Sequence, residues 1–177
     1  SKKCIFGAEV AARMEEVKAE LPLSEGDDYY VVADGDIAPS LNWAIDLVSA
    51  SDDASRDNPP DTVETTIGET AFYIFTSGTT GLPKAAVLSN RRYLISADMA
   101  AIAGFKATEQ DRLYLCLPIY HGTGLMIGVG AAIASGASMF VRRKFSASNF
   151  LSEVREQGCT LLIYIGELCR YLVNTPE

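Results

Sequence analysis

The sequence predicts an α/β fold: a largely parallel sheet flanked by helices, with one antiparallel hairpin. Short apolar runs rich in β-branched and aromatic residues alternate with segments of helical period along the 177 residues. Alternation on that scale favours parallel strands joined by right-handed crossovers. Around residues 71–88 the pattern changes to strand, loop, strand, which reads as a hairpin. A hydrophobic content of 48% with 21% charged residues is globular and sufficient for the core of one ordinary domain.

The elements follow in chain order. Cys4 to Phe6 is a short apolar strand, after which Val10, Met14, Val17 and Leu21 recur at helical spacing until Pro22 ends the pattern. Tyr29 to Ala33 is the next strand, and Leu41 to Val48 forms a short helix that the sole tryptophan, Trp43, anchors on the core. Residues 1–50 thus form a strand–helix–strand portion, and 51–66 form an acidic surface linker broken by Pro59 and Pro60. Residues 67–177 carry the rest, beginning with a buried strand from Ala71 to Phe75. Pro83 biases Leu82 toward an extended conformation, so the chain leaves the following loop as a second strand, Lys84 to Leu88. Asn90 to Ala103 is a helix, Leu113 to Leu117 a strand, Thr123 to Ser135 a buried helix and Ala137 to Val141 a strand. Ser146 or Ser148 caps a helix that runs through Gln157 and stops at Gly158. Thr160 to Tyr164 returns as a strand before a last helix, Gly166 to Val173.

The loop inside the hairpin concentrates donors. Gly78 and Gly81 allow positive φ and close backbone approach, so successive N–H groups can converge on an anion. Thr76, Ser77, Thr79 and Thr80 add hydroxyls, and Lys84 adds a mobile point charge. The spacing Gly78-x-x-Gly81-x-x-Lys84, followed by alanine, is not that of a Walker loop, which also opens a helix rather than a strand. On composition alone a Ser/Thr/Gly-rich turn without a ligand is the less favoured alternative.

The string from Phe75 to Lys84, FTSGTTGLPK, resembles the phosphate loop of the adenylate-forming superfamily, which includes acyl-CoA synthetases, luciferases of the firefly type and peptide-synthetase adenylation domains. The continuation Ala85-Ala86, where most members have Gly-Val, is similar to the very-long-chain acyl-CoA synthetase and fatty acid transport protein branch. LPIYHGTG (117–124), RRKFSAS (142–148) and YIGELCRYLVN (164–174) resemble further segments of that branch, in the expected order. The resemblance is clear from about Ala71 to Pro176 and holds only in outline before that.

The resemblance implies the large N-terminal domain of a long-chain or very-long-chain fatty acid–CoA ligase. A carboxylate attacks the α-phosphorus of ATP, pyrophosphate leaves, and the CoA thiol then attacks the acyl-adenylate. Thr76, Ser77, Gly78, Thr79, Thr80, Gly81 and Lys84 take the ATP-phosphate role, with Lys84 as the principal contact. Tyr120, His121, Gly122, Gly124, Tyr164, Gly166 and Glu167 match the acyl-channel segments; His121 and Tyr120 shape and gate the channel, and the glycines leave the loop room to move. Tyr164, at a strand end, fits packing equally well. The cation run Arg142, Arg143 and Lys144 fits a CoA phosphate or an anionic membrane surface, and also a solvated strand exit.

Charge and cysteines narrow the alternatives. Residues 1–70 hold 5 basic and 16 acidic side chains, giving −11, whereas 71–177 hold 10 and 7, giving +3, so the anion-binding half is the basic half. Basic residues are not interleaved with aromatics, which excludes a nucleic-acid stripe. Cys4, Cys116, Cys159 and Cys169 form no C-x-x-C pair and read as free thiols of a reducing, cytoplasmic compartment. With one histidine, a His-based metal site is implausible. Residues 113–141 carry no formal charge over a span long enough for a bilayer, but Pro118, His121 and five glycines divide and dilute it. Peripheral membrane contact stays open, and the sequence is silent on oligomeric state.

The superfamily's adenine segment, magnesium glutamate, ribose aspartate and mobile-domain lysine do not occur in these 177 residues. The expectation is therefore a fragment that binds phosphate and does not turn over alone, with Mg2+ held by residues outside it. Two alternatives remain: a CoA ligase for another carboxylate, such as a carnitine-like or steroid acid, and a non-catalytic fatty acid transport or nucleotide-binding module.

Overall fold

In the computed structural model, residues 2–33, 41–76 and 81–175 are described. They form two compact units, Ser1–Pro60 and Asp61–Glu177, each with its own apolar core.

In the first unit, strands β1 (Cys4–Gly7), β2 (Tyr29–Val32) and β3 (Ile45–Asp46) pair in parallel in that order, with Cys4 opposite Tyr29 and Tyr30 opposite Ile45. The helical stripe expected from Val10 to Leu21 is interrupted. An α-helix, α1, holds only Ala11–Val17, between 3-10 turns at Ala8–Val10 and Lys18–Glu20. Met14 packs on the core, whereas Val10, Val17 and Leu21 are exposed. Trp43 is buried, stacked on Phe6 at 5.3 Å between ring centroids and edge-on to Tyr29 at 5.4 Å. The helix expected over 41–48 is replaced by a turn, β3, and a helix α2 at Leu47–Asp52. The reason is local: the Asp46 carboxylate accepts from the Val48 N–H and the Ser49 hydroxyl, so Asp46 caps α2 and the residues before it stay extended. Residues 51–66 carry the end of α2 and a 3-10 turn at Pro60–Val63, and all are exposed.

The second unit opens with the hairpin, β4 (Thr70–Thr76) against β5 (Lys84–Ser89), antiparallel with Ile74 opposite Ala86 and Thr76 opposite Lys84. Its order in the chain is then helix α3 (Asn90–Met99), widened into π-helical turns over Ala100–Phe105, and strand β6 (Arg112–Leu115). A second π-helical stretch, Thr123–Val129, runs into α4 (Gly130–Ser135) and strand β7 (Ser138–Val141). Helix α5 (Ala147–Glu156), strand β8 (Leu161–Leu162) and helix α6 (Gly166–Val173) complete it. Strands β7, β6 and β8 form a parallel sheet with β6 central, which buries Leu113, Tyr114 and Leu115. Parallel strands need helices between them, and that requirement explains the alternation seen in the sequence. Charge-free residues 113–141 thus hold two strands, a loop and a helix pair, and no helix among the described residues is long and apolar enough to cross a membrane.

Among the described residues the parallel strands form two three-stranded sheets and the antiparallel hairpin pairs with neither, in keeping with the α/β fold that the sequence predicts. Two expectations need correction. Strand β4 is not buried on both faces: Phe72 meets Tyr93 of α3 at 5.6 Å, but Tyr73 and Phe75 on the opposite face are 62% and 71% exposed. A two-stranded hairpin leaning on one helix can cover only one of its faces. Ser146 stands at the N-cap of α5, yet its hydroxyl bonds that of Ser148 and caps no N–H. All four cysteines are free thiols; Cys116 is buried and the others are half-buried.

Candidate functional site

The C-terminal end of β4 and the start of β5 define the donor loop. Thr76 and Lys84 are the last paired residues, and the Thr76 hydroxyl donates to the Lys84 carbonyl at 3.3 Å. Gly81 has φ +123°, a backbone conformation that L side chains rarely adopt, and among the described residues nothing lies within 4 Å of where its Cβ would be. Its backbone conformation therefore demands glycine there. Thr76, Gly81 and Lys84 are all exposed. Ser77, Gly78, Thr79 and Thr80 lie outside the described residues.

The histidine loop leaves β6 through buried Cys116 and Leu117 and is drawn tight by its own backbone. His121 N–H donates to the Pro118 carbonyl at 3.1 Å, and Leu125 N–H to the His121 carbonyl at 3.0 Å. Thr123 N–H donates to His121 Nδ1 at 3.3 Å. That contact makes Nδ1 the acceptor and leaves Nε2 to carry the ring proton in the neutral form. A Cβ on Gly124 would stand 2.2 Å from the Pro118 carbonyl oxygen, and one on Gly128 would stand 2.7 Å from Leu115 Cδ1. The π-helical segment thus seats against the loop and β6 because two of its residues lack side chains.

Two sequence-distant parts meet the loop. The Cβ position of Gly122 lies 3.9 Å from Cδ1 of Ile74, two residues before Thr76 on β4, so the hairpin and the histidine loop are neighbours. On another side Ile165 joins Leu117, Pro118, Tyr120, His121 and Thr123 around one apolar pocket. Of the YIGE segment it is Ile165, and not its flanking residues Tyr164, Gly166 or Glu167, that lines this pocket. Ile165 carried no signal in the sequence beyond being apolar at a strand end. Tyr164 is 55% exposed, and Gly166 begins α6 with open space around it. Glu167 is paired with Arg170 along α6, whose guanidinium and then Tyr171 hold its carboxyl below the usual range.

The cation run is split by its surroundings. Arg142 N–H continues the β6–β7 ladder to the Leu115 carbonyl at 2.8 Å, and its Nη2 pairs with Glu153 Oε1 of α5 at 2.8 Å. The other Glu153 oxygen accepts from the buried Tyr114 hydroxyl at 2.7 Å. Burial first, and then this carboxylate, push the Tyr114 phenol up, so it remains a donor. Arg143 and Lys144 are exposed. Among the described residues no three His, Cys, Asp or Glu side chains converge to hold a metal ion.

The profile of a family described as AMP-binding enzyme matches residues 3–177. The chain is 38% identical, over 89% of its length, to the medium/long-chain-fatty-acid–CoA ligase FadD6 of Mycobacterium tuberculosis, and covers 27% of that protein. It is also 38% identical, over 99% of its length, to long-chain fatty acid transport protein 1 of Homo sapiens, again covering 27%. The chain thus spans about a quarter of the length of these curated relatives. Among solved structures, the inhibitor-bound N-terminal domain of FACL13 from Mycobacterium tuberculosis superposes with a TM-score of 0.75 at 23% identity, over 100% of this chain and 41% of that one. ATP-bound MatB from Rhodopseudomonas palustris superposes with a TM-score of 0.76 at 22% identity, over 99% and 32%. These two similarities show the fold: parallel sheets flanked by helices plus an antiparallel hairpin.

Proposed function

Because this chain belongs to the AMP-binding enzyme family, we propose that it is the phosphate-loop and acyl-pocket portion of an ATP-dependent fatty acid–CoA ligase of the long-chain or very-long-chain type. A fatty carboxylate oxygen attacks the α-phosphorus of ATP as the bond to pyrophosphate breaks; the CoA thiol then displaces AMP from the acyl-adenylate. Thr76, Ser77, Gly78, Thr79, Thr80, Gly81 and Lys84 hold the β- and γ-phosphates and neutralise the charge that builds on the leaving pyrophosphate. Tyr120, His121, Gly122 and Gly124, with Ile165, form the wall along which the acyl chain lies, and Tyr164, Gly166 and Glu167 flank Ile165 in sequence at the outer edge of that wall. Mg2+ would neutralise the same phosphates, and among the described residues no cluster of His, Cys, Asp or Glu would hold it.

One observation carries this reading. The same strand, β4, ends in the donor loop at Thr76, and two residues earlier its Ile74 lies beside Gly122 of the histidine loop, so phosphate and acyl groups of one substrate pair can meet near its C-terminal end. The test is binding of pyrophosphate and ATP to this chain by calorimetry. Lys84→Ala should weaken both by about tenfold, the size of one lost charge-assisted contact. Equal affinities would refute the assignment. With ATP, decanoate and CoA this chain alone should release no pyrophosphate, since the adenine, ribose and mobile-lysine motifs are not in its sequence.

A second reading follows from relatives named fatty acid transport proteins: a transport module of the cytoplasmic membrane face. It predicts lipid uptake by the whole protein that persists when the donor loop is disabled. A ligase for another carboxylate would show itself in a substrate panel.

A further inference from the structure

A second hollow lies beside the histidine loop. Loop residues 117–120 form one side of it and Val141, Arg142 and Arg143 the other, and its surface is mostly apolar. It shares Leu117, Pro118 and Tyr120 with the pocket that holds His121 and Ile165, so these three residues form the wall between two hollows. Neither is large: about 210 Å³ on the His121 side and about 270 Å³ on the Val141 side. Sites that enclose a whole small ligand run from about 300 to 1,000 Å³, and only the two hollows together reach that size.

The wall has a fixed base and one movable part. Leu117 is buried, and the Pro118 carbonyl accepts from the His121 N–H at 3.1 Å while the Cβ position of Gly124 stands only 2.2 Å from its oxygen. Tyr120, in contrast, is 84% exposed, so its ring can swing without disturbing the core. Strand register brings the far side into place. Val141 pairs with Leu115 at the last rung between β6 and β7, so the end of β7 stands beside the point where β6 runs out into the loop. Its side chain is available there, since Val141 is 49% exposed. Arg142 brings no unmatched charge, because its guanidinium pairs with Glu153 at 2.8 Å. Arginine stems also lie along apolar surface while their heads stay in water. The chemistry that fits this hollow is hydrocarbon. The His121 pocket adjoins Gly122, which stands beside Ile74 of the hairpin, and so takes the end of a chain nearer the donor loop.

We propose that the hollow beside Val141 receives the far end of a long acyl chain whose first methylenes lie in the His121–Ile165 pocket, so that the chain crosses at Tyr120 and Val141 sets the preferred chain length. The inference rests on the fatty acid ligase reading and adds to it a residue that selects among fatty acids. No bond is made or broken in the hollow. Acids short enough for the first pocket never reach Val141, and longer ones gain from each further methylene that the second hollow covers.

The experiment measures binding of unbranched carboxylates from hexanoate to dodecanoate to this chain by calorimetry, each kept monomeric. Affinity should rise by about fourfold for each methylene added, the worth of one buried CH₂, through to the longest acid. Val141→Trp fills the hollow from an exposed strand end. It should bind hexanoate as the wild type does and lose at least about tenfold in affinity for dodecanoate. In a methyl NMR spectrum of the wild type, the Val141 signals should move on adding dodecanoate and stay still with hexanoate. If the variant does not fold, the wild-type length series and the methyl shift still decide the matter. An affinity that levels off between hexanoate and dodecanoate, Val141 signals unmoved by dodecanoate, or a folded Val141→Trp that binds dodecanoate like the wild type would overturn the assignment. Hexanoate separates the two ideas: if it binds while longer acids gain nothing, the second hollow alone is wrong, and if no carboxylate of any length binds, the underlying reading falls.

Discussion

Replacing Gly124 with alanine tests whether the histidine loop is locked by backbone contact. The added Cβ would lie 2.2 Å from the Pro118 carbonyl oxygen, 2.8 Å from the Pro118 carbonyl carbon and 3.0 Å from the Leu117 oxygen. Real Cβ atoms essentially never come closer than 3.0 Å, so at least about 0.8 Å must be gained. All three opposing atoms are backbone, and no rotamer change can supply that distance. The π-helical segment must therefore move off the loop, and overpacking of this kind costs about 1–3 kcal/mol. For a chain of this size that corresponds to a fall in Tm of roughly 2–12 °C. Gly122→Ala, two residues earlier, provides the contrast: its Cβ would meet Met126 Sδ at 3.8 Å and Ile74 Cδ1 at 3.9 Å, which is ordinary contact. It should be tolerated within about 0.5 kcal/mol. Thermal unfolding should be followed by far-ultraviolet circular dichroism, because the only tryptophan, Trp43, lies in the other unit. If Gly124→Ala unfolds with the wild type, or Gly122→Ala loses as much as Gly124→Ala, the close-approach argument is wrong.

Other perturbations have equally definite outcomes. Gly81→Ala forces an L residue to φ +123°; a strain of about 1–3 kcal/mol should appear as weaker pyrophosphate binding by calorimetry with little loss of global stability. Trp43→Ala empties the space between Phe6 and Tyr29 and should cost the first unit about 3–5 kcal/mol in urea denaturation; a smaller loss would mean the core closes over the hole. Asp111 is held below the usual carboxylate range, chiefly by the Thr160 hydroxyl and then by the Thr108 backbone N–H and hydroxyl. A lowered folded pKa adds stability above the unfolded value, about 3.9, and that stability drains as pH falls through the folded value. Asp111→Ala should therefore be less stable than the wild type at pH 7 and converge with it in strong acid; a constant gap across pH would reject the linkage.

Much of the fold was legible because its signals are local. The strands at Cys4, Tyr29 and Thr70, the hairpin turn, the charge-free strand–loop–helix–strand block and the final helix from Gly166 to Val173 all follow from residue period, glycine and proline. The misreadings fell where a short-range competitor acted. Asp46 offered its carboxylate as a cap and moved a helix start to Leu47, and the apolar composition of β4 suggested a buried strand, whereas Tyr73 and Phe75 are exposed. For the candidate site, the donor loop and the histidine loop could be named from their strings, whereas Ile165, Glu153 and Ile74 could not.

By itself the sequence determined the family, the alternation of strand and helix, and the residue types at the anion loop, since each depends on neighbours within a few positions. Tertiary structure alone decided which of these parts touch. It set Ile74 of the hairpin beside Gly122, turned Ile165 rather than Tyr164 into the pocket, and drew Arg142 out of a run of three cations into a pair with Glu153. Those contacts depend on sheet order and helix packing between segments tens of residues apart, where every apolar or charged residue in the chain competes for the same partners and only the assembled core settles which pairs form.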